Sequence, residues 1–568
     1  MNQQEARELL MQPGGMFEIE EVEIGARKVR AFKQRERSMR EKVQNAVKTH
    51  GDKEFLVQGD ERVSYGEFGK LCWGSGHALL ERFDLQRGDR IGILAYNSPR
   101  WLIALFGATS AGAIAVGLNG FWAREEIEYG LRDSGCRYLI VDEALYPRVA
   151  DVLPTIETLE TVFYIGEQAP EGTHSIDELM VERQQAPDVP IEEDDPFVLL
   201  YTSGTTGRAK GCITTHRGTV AQVQGVIFNF VVSALSRGEN PLGRPGGGLP
   251  ATLLTSPLFH VAGLHSTVCT SMTAGTRLVF GPPKFDPEEV MGIIEREKVT
   301  TWMAIPTLLS RLLDHEKLGD YDLSTLQSIS TGGAPASAEL LGRASTLLPK
   351  KPTAGTTYGL TECHGMASSL SGPEIAEKQG SVGRPVPILA VKIVDEDGVS
   401  QPTGSSGEIC LSGSTITPGY WNRPDATAET IRDGWLHTGD IGYLDEDGYL
   451  YISDRAKDMI LRGGENVYCV EIENCLSSHP EIEEAAIVGV PDRDLGERVK
   501  AIVRLRPGSE LDAEAVQAHV AAHMAKFKVP EFVDFTDEPL PRNPAGKLLK
   551  NQLRGEGEGD KARFVEPG

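Results

Sequence analysis

Residues 202–211 read TSGTTGRAKG and follow directly on an apolar run, FVLLY (197–201). The apolar run has the length and β-branched or aromatic character of a buried strand. The ten residues after it predict a strand-to-helix turn. Its free backbone N–H groups, its hydroxyls and Lys210 are what a polyphosphate requires. The pattern is not a Walker A loop, because GxxxxGK[ST] cannot be fitted to it. Composition alone leaves an ordinary surface loop as an equal reading.

On both sides of this turn the chain repeats the same rhythm. Upstream, RIGILAYN leads into PRWLIALFGATSAG, then AIAVGLN, the acidic helix EEIEYGLRDSG and YLIVDE. Downstream, ATLLTSPLFH, TRLVF, TTWMAI and LQSISTGG read as strands, with helices such as PEEVMGIIEREK between them. Short apolar strands alternating with helices predict parallel sheets covered by helices, hence an α/β fold. An N-terminal hairpin, FEIEEVEI then RKVRAF, turns at Gly25 and Ala26, and the Gly/Pro-rich SRGENPLGRPGGGLP (236–250) reads as a surface loop. Between Val391 and Tyr451 short strands with turn signals predict a small β-rich subdomain. Past Asp454, EAAIVGVP, VKAIVRL and AEAVQAHVAAHMA predict a small α+β domain.

Composition narrows the function. The 568 residues carry 57 Lys and Arg against 82 Asp and Glu, a formal charge of −25 that disfavours any nucleic-acid partner. The eight cysteines are dispersed, with no CxxC pair and no histidine at zinc-finger spacing, which predicts reduced thiols and a cytoplasmic protein. MNQQEARELLMQPGG has neither secretory nor transit character, and Met16 is an alternative start. Trp101 to Ala123 is uncharged and long enough to cross a bilayer, but its glycines favour a buried helix, a turn and a buried strand, so no transmembrane segment is expected.

Nine segments occur in order: TSGTTGRAKG, PLFHVAG (257–263), STGGAPA (330–336), GTTYGLTE (355–362), GEI (407–409), GYWNRP (419–424), WLHTGDIG (435–442), SDRAKDMILRGGENVY (453–468) and PRNPAGK (541–547). In them the chain resembles the adenylate-forming enzymes, which include acyl-CoA synthetases, firefly-type luciferases and peptide-synthetase adenylation domains. One departure is Ala209, where that family usually has Pro, an exchange expected to loosen the loop while leaving its donors in place.

The resemblance implies a large N-terminal domain (1–454), a hinge (455–457) and a small mobile C-terminal domain (458–568). It implies an ATP-dependent carboxylic acid:CoA ligase that passes through an acyl adenylate, with AMP and pyrophosphate as products. ATP, Mg²⁺ and coenzyme A would be its cofactor and co-substrates. By the same resemblance Thr202, Ser203, Gly204, Thr205, Thr206, Gly207 and Lys210 cradle the phosphates that leave. Tyr358, beside Thr357, stacks on adenine opposite Gly333 and Ala334. Thr361 meets the α-phosphate and Glu362 holds Mg²⁺. Asp440, a short carboxylate in a turn, accepts the ribose hydroxyls, and Arg455 reaches ribose and phosphate.

Lys547 would bridge the attacking carboxylate and the α-phosphate. His260 would border the acyl carboxylate, with Val261, Ala262, Gly263, Ile305, Gly332 and Thr356 shaping the acyl site. Rotation at Lys457 would then bring Gly463 and Gly464 towards the thiol. A medium- or long-chain, aryl or aryl-alkanoic acid is the expected substrate, and a homodimer is compatible with the reading. The alternatives are a ligase that loads a discrete carrier protein, an oxidative luciferase, and a catalytically silent relative. The last is disfavoured because Lys547, Glu362 and Asp440 are all present.

Overall fold

The computed structural model describes residues 2–25, 27–202, 208–240, 249–333, 338–455, 458–462, 465–493, 495–542 and 547–554, with backbone alone at 338–339, 455 and 465–466. The expected βα rhythm produces two large sheets. In the seven-stranded one, Arg90–Leu94, Ile114–Gly117, Tyr138–Asp142, Thr161–Ile165, His174–Ser175 and Pro196–Thr202 run parallel, and Lys210–Thr215 closes one edge antiparallel. The other has fourteen strands. Its parallel half runs through Ala251–Leu254, Arg277–Phe280, Thr301–Ala304, Ser328–Thr331 and Thr353–Leu360.

A helical layer between the two sheets forms the main core. Tyr65–Arg82 and Pro99–Ser110 bury Phe68, Trp73, Trp101 and Phe106 against Ile91, Ile93 and Leu200 of one sheet and Leu254, Leu278 and Phe280 of the other. Every residue of Pro99–Ser110 except Arg100 is buried, and Ile114–Gly117 is the buried strand after it, as the sequence of Trp101 to Ala123 predicts. Strands covered on both faces are apolar throughout for this reason.

One expectation is borne out and one is corrected. The β-rich segment forms as expected, as antiparallel strands. Leu389–Val394, Gly407–Gly413, Trp435–Leu444 and Leu450–Arg455 continue the fourteen-stranded sheet, joined through Ser381–Pro385 and Gly365–Ser371. The phosphate-type loop is not a strand-to-helix turn. KGCITT forms the strand Lys210–Thr215, antiparallel to Pro196–Thr202, and the helix starts only at His216 with Thr215 as its cap. Its alternating, β-branched residues satisfy the sheet edge before the helix can begin. The described helix long and apolar enough to span a membrane is this one, His216–Ser236, with 61% of its apolar window buried in the protein.

The hairpin Ile19–Ile24 and Arg27–Phe32 pairs as expected. It is preceded by a helix, Gln3–Met11, that the sequence reading does not anticipate and that Asn2 and Glu5 cap reciprocally. Beyond Asp458 a five-stranded sheet is built mainly on Ile482–Asp492 and Gly496–Leu505, with helices Cys469–Ser477 and Ala513–His523 packed on it.

Candidate active site

Parallel α/β sheets present ligand sites at the carboxyl ends of their strands, and several of the described candidate residues stand there. Thr202 ends its strand paired with Lys210. Gly332 and Gly333 follow the strand Ser328–Thr331, which pairs in parallel with Thr353–Leu360, so Gly332 lies against Thr357. Thr357 and Tyr358 stand on that second strand. At Gly359 the neighbouring strand comes so close that a Cβ would meet the Gly365 carbonyl oxygen at 1.9 Å, which only glycine permits.

Lys210 and Glu362 are brought together by a tyrosine to which the sequence reading assigns no role. Tyr420, in GYWNRP, donates its hydroxyl to Glu362 Oε1 at 2.7 Å, and Lys210 Nζ lies 5.3 Å from the centre of its ring. Burial, and next the Glu362 carboxylate, raise the Tyr420 hydroxyl well above its usual range, so it remains a donor. The backbone fixes this contact. Trp421 N–H donates to Gly211 and Ile213 N–H to Gly419, which seats residues 419–421 on the edge of the Lys210–Thr215 strand. Thr361 opens the short 3-10 turn that carries Glu362, whose carbonyl accepts from Thr417 N–H. A carboxylate held by one oxygen leaves the other for a hard cation, so Glu362 fits Mg²⁺.

Asp440 lies inside the strand Trp435–Leu444 rather than in a turn, a correction that follows from backbone pairing on both sides of it. It is 2% exposed and accepts the Tyr358 hydroxyl at 2.7 Å. Burial and the Asp440 carboxylate push the Tyr358 hydroxyl well up. Glu408, of GEI, sets the approach to Asp440. One of its oxygens bonds His437 Nδ1 at 2.7 Å and the other accepts Gly439 N–H at 3.0 Å. Arg455 is the direct cross-strand neighbour of Asp440.

A histidine absent from the sequence reading ties these elements together. His364 Nδ1 donates to the Thr415 carbonyl at 2.6 Å, and its Nε2 accepts Thr215 N–H at 2.8 Å. It therefore joins the Glu362 turn, the phosphate hairpin and the 415–417 segment. Burial lowers its pKa to about 3, so the ring is neutral, as this bonding requires.

His260 packs on Phe259 at 4.6 Å between ring centres, and its Nε2 is buried with no hydrogen-bond partner among the described residues. Burial lowers its pKa to about 4. Ala209, in place of the expected Pro, does not leave the hairpin unsupported. Its carbonyl accepts the Tyr129 hydroxyl at 3.1 Å, and the Arg208 guanidinium sits 5.0 Å from the Tyr129 ring centre.

Lys547 is carried by the small domain. Arg542 and Leu548 form a bridge, Leu549 N–H bonds the Pro541 carbonyl, and Leu548 packs on the core of Ala486, Val488, Ile502 and Leu540. Ser203, Gly204, Thr205, Thr206, Gly207, Ala334, Lys457, Gly463 and Gly464 lie outside the described residues, as does the side chain of Arg455.

Residues 43–421 match the family described as AMP-binding enzyme, and residues 471–547 match the AMP-binding enzyme C-terminal domain. The chain belongs to the AMP-binding enzyme family. This AMP-binding enzyme is 37% identical over 500 residues to a feruloyl-CoA synthase of an Amycolatopsis species, covering 87% of this chain and 94% of that one. It is 34% identical over 505 residues to a long-chain-fatty-acid–CoA ligase of Bacillus subtilis, covering 84% and 87% respectively. The anthranilate CoA ligase AuaEII, solved with anthranoyl-AMP, superposes with a TM-score of 0.82 at 26% identity, over 91% of this chain and 97% of that one. The protein is an AMP-forming acid–thiol ligase of the acyl-CoA synthetase type, with ATP, a carboxylic acid and CoA as substrates and Mg²⁺ as the usual ion.

Proposed function

We propose that this AMP-binding enzyme activates an aryl or aryl-alkanoic acid bearing a polar substituent, and that the residues above divide the work as the family resemblance implies. The hydroxyls of Ser203, Thr205 and Thr206 and the Lys210 ammonium hold the β- and γ-phosphates, with Tyr420 keeping Lys210 and Glu362 on one cluster. Mg²⁺, when bound at Glu362, neutralises triphosphate charge. Tyr358 flanks adenine and orients Asp440 towards the ribose, with Arg455 beside it. Thr361 contacts the α-phosphate. His260, neutral, borders the acyl carboxylate, and Lys547 stabilises the charge that builds as that carboxylate attacks the α-phosphorus.

The thiol step follows rotation of 458–568 about Lys457 relative to 1–454, which removes Lys547 and brings in Gly463 and Gly464. Two contacts support a hinge here. The ribose strand runs through Arg455, and three residues later Asp458 already belongs to the small domain, its carbonyl accepting the Cys469 thiol at 2.9 Å. Eight free cysteines, seven of them buried, suit a reducing cytoplasm.

One observation carries the choice of acid. Gln222 is 1% exposed, and both its amide oxygen and its amide nitrogen lack partners among the described residues. It faces Gly365 beside the Ser266 hydroxyl, on the helical stretch after His260. A buried amide left unpaired costs about 1–3 kcal/mol, which a hydroxyl on the acid offsets and an alkyl tail cannot. The 37% identity to a feruloyl-CoA synthase points the same way. The test is kcat/KM for ferulate, cinnamate and palmitate in the wild type and in Gln222→Leu. Ferulate first in the wild type, with its advantage over cinnamate lost in the variant, supports the reading. A wild-type preference for palmitate overturns it.

A further inference from the structure

On the small domain, away from the residues assigned above, two helices face each other with soft ligands. Cys475 lies on Cys469–Ser477, and His519 and His523 lie on Ala513–His523. One ligand atom from each falls within 4.8 Å of the others. His519 and His523 are one helical turn apart and so share a face. His479 follows the end of the Cys469–Ser477 helix, and its ring lies edge-on to His519 at 4.9 Å between centres. The spacing belongs to neighbouring turns of two packed helices rather than to a zinc-finger loop, so a search for zinc-finger patterns misses it.

Backbone carbonyls prepare both imidazoles. His523 Nδ1 bonds the His519 carbonyl at 2.8 Å, and His519 Nε2 bonds the Cys475 carbonyl at 3.0 Å. A carbonyl only accepts, so the proton of each ring is on the bonded nitrogen and the other nitrogen keeps its lone pair. Metal-ligating histidines are commonly held in this way. Tetrahedral zinc with sulfur at about 2.3 Å and nitrogen at about 2.05 Å places ligand atoms about 3.3–3.6 Å apart. An inward movement of roughly an ångström, on side chains half-buried to exposed, therefore brings three ligands to zinc distances and leaves the fourth position to water.

We propose that Cys475, His519 and His523 form a binding site for a thiophilic divalent transition metal of the zinc type, separate from the Mg²⁺–ATP site and stapling the two outer helices of the small domain. One thiolate and two imidazoles select such an ion over Mg²⁺ or Ca²⁺. A second described group, Glu408, Cys410 and His437, is also close enough to hold an ion. Its Glu408–His437 pair is already engaged in holding the strand before Asp440.

The test uses the purified full-length protein, stripped with chelator and titrated with Co²⁺ and then Zn²⁺. The expected result is one equivalent of Co²⁺ with a thiolate charge-transfer band and tetrahedral visible bands, displaced by Zn²⁺, and a melting temperature raised by Zn²⁺. Cys475→Ser should remove the thiolate band. The exposed His523→Gln, which puts no core contact at risk, should weaken Zn²⁺ binding by more than about tenfold. Cys410→Ser should change neither. A wild type with no thiolate band, a band unchanged in Cys475→Ser, or affinity unchanged in His523→Gln overturns the proposal.

Discussion

At the scale of single residues the proposed site rests on carboxylates held in place by neutral donors. Tyr420→Phe removes the one described hydrogen bond to the Glu362 carboxylate. A bond to a charged group contributes about 1.5–3 kcal/mol, so kcat/KM for MgATP should fall roughly ten- to a hundredfold, with the Mg²⁺ requirement shifted upward. Pyrophosphate release measured across Mg²⁺ concentrations checks this, and an unchanged Mg²⁺ dependence removes Tyr420 from the mechanism. The motif around Tyr420 is legible in the sequence, but its role is not. The contact joins positions 58 residues apart, and a tyrosine reads equally as core or ligand until its hydroxyl has a partner. The roles proposed for Asp440, Glu362 and Lys210 start from the sequence, because a charged residue in a tight motif has few other uses. Glu408 is hidden in a strand, where its bonds to 437 and 439 depend on register.

At the scale of elements, His364 joins the phosphate hairpin, the Glu362 turn and the 415–417 segment, and the helix His216–Ser236 is shaped around it. A Cβ on Gly218 would meet His364 Nε2 at 2.3 Å. Gly218→Ala should therefore displace the ring, strain its bonds to Thr215 and Thr415, and weaken ATP binding while leaving the outer sheets folded. Nucleotide affinity by calorimetry, alongside circular dichroism, separates the two effects. Wild-type affinity in this variant would show that His364 does not position the site. The strand-to-helix reading of TSGTTGRAKG fails at this scale, because a glycine-rich signal marks a turn without specifying the element on its far side. The alternation in KGCITT carries that information. The βα units are legible because both-face burial makes their strands continuous apolar runs.

At the scale of the molecule, three buried histidines and the half-buried His260 govern acid stability. Burial holds His216 and His364 at about 3 and His260 and His265 at about 4, below the ordinary 6.5. Between about pH 6.5 and 4 the unfolded chain binds protons that the folded chain refuses, so stability falls as pH falls through this window. Each histidine contributes about 1.4 kcal/mol per pH unit. Urea unfolding at stepped pH should show this slope, and a flat profile from pH 6.5 to 5 contradicts it.

The proposed rotation makes a separate demand on the whole chain. Lys457→Pro should spare adenylation and slow thioester formation, whereas Lys547→Ala should cost adenylation about 3–4 kcal/mol of barrier yet still convert supplied acyl adenylate and CoA. Equal loss of both half-reactions in Lys547→Ala rules the rotation out.

The two half-reactions share one intermediate, and the most direct measurement looks for it. Purified enzyme with MgATP and ferulate but no CoA should release pyrophosphate and hold feruloyl adenylate, detected by mass spectrometry. Added CoA should then yield AMP and feruloyl-CoA in equal amounts. Formation of ADP and phosphate, or of thioester with no adenylate trapped before CoA is added, would contradict it.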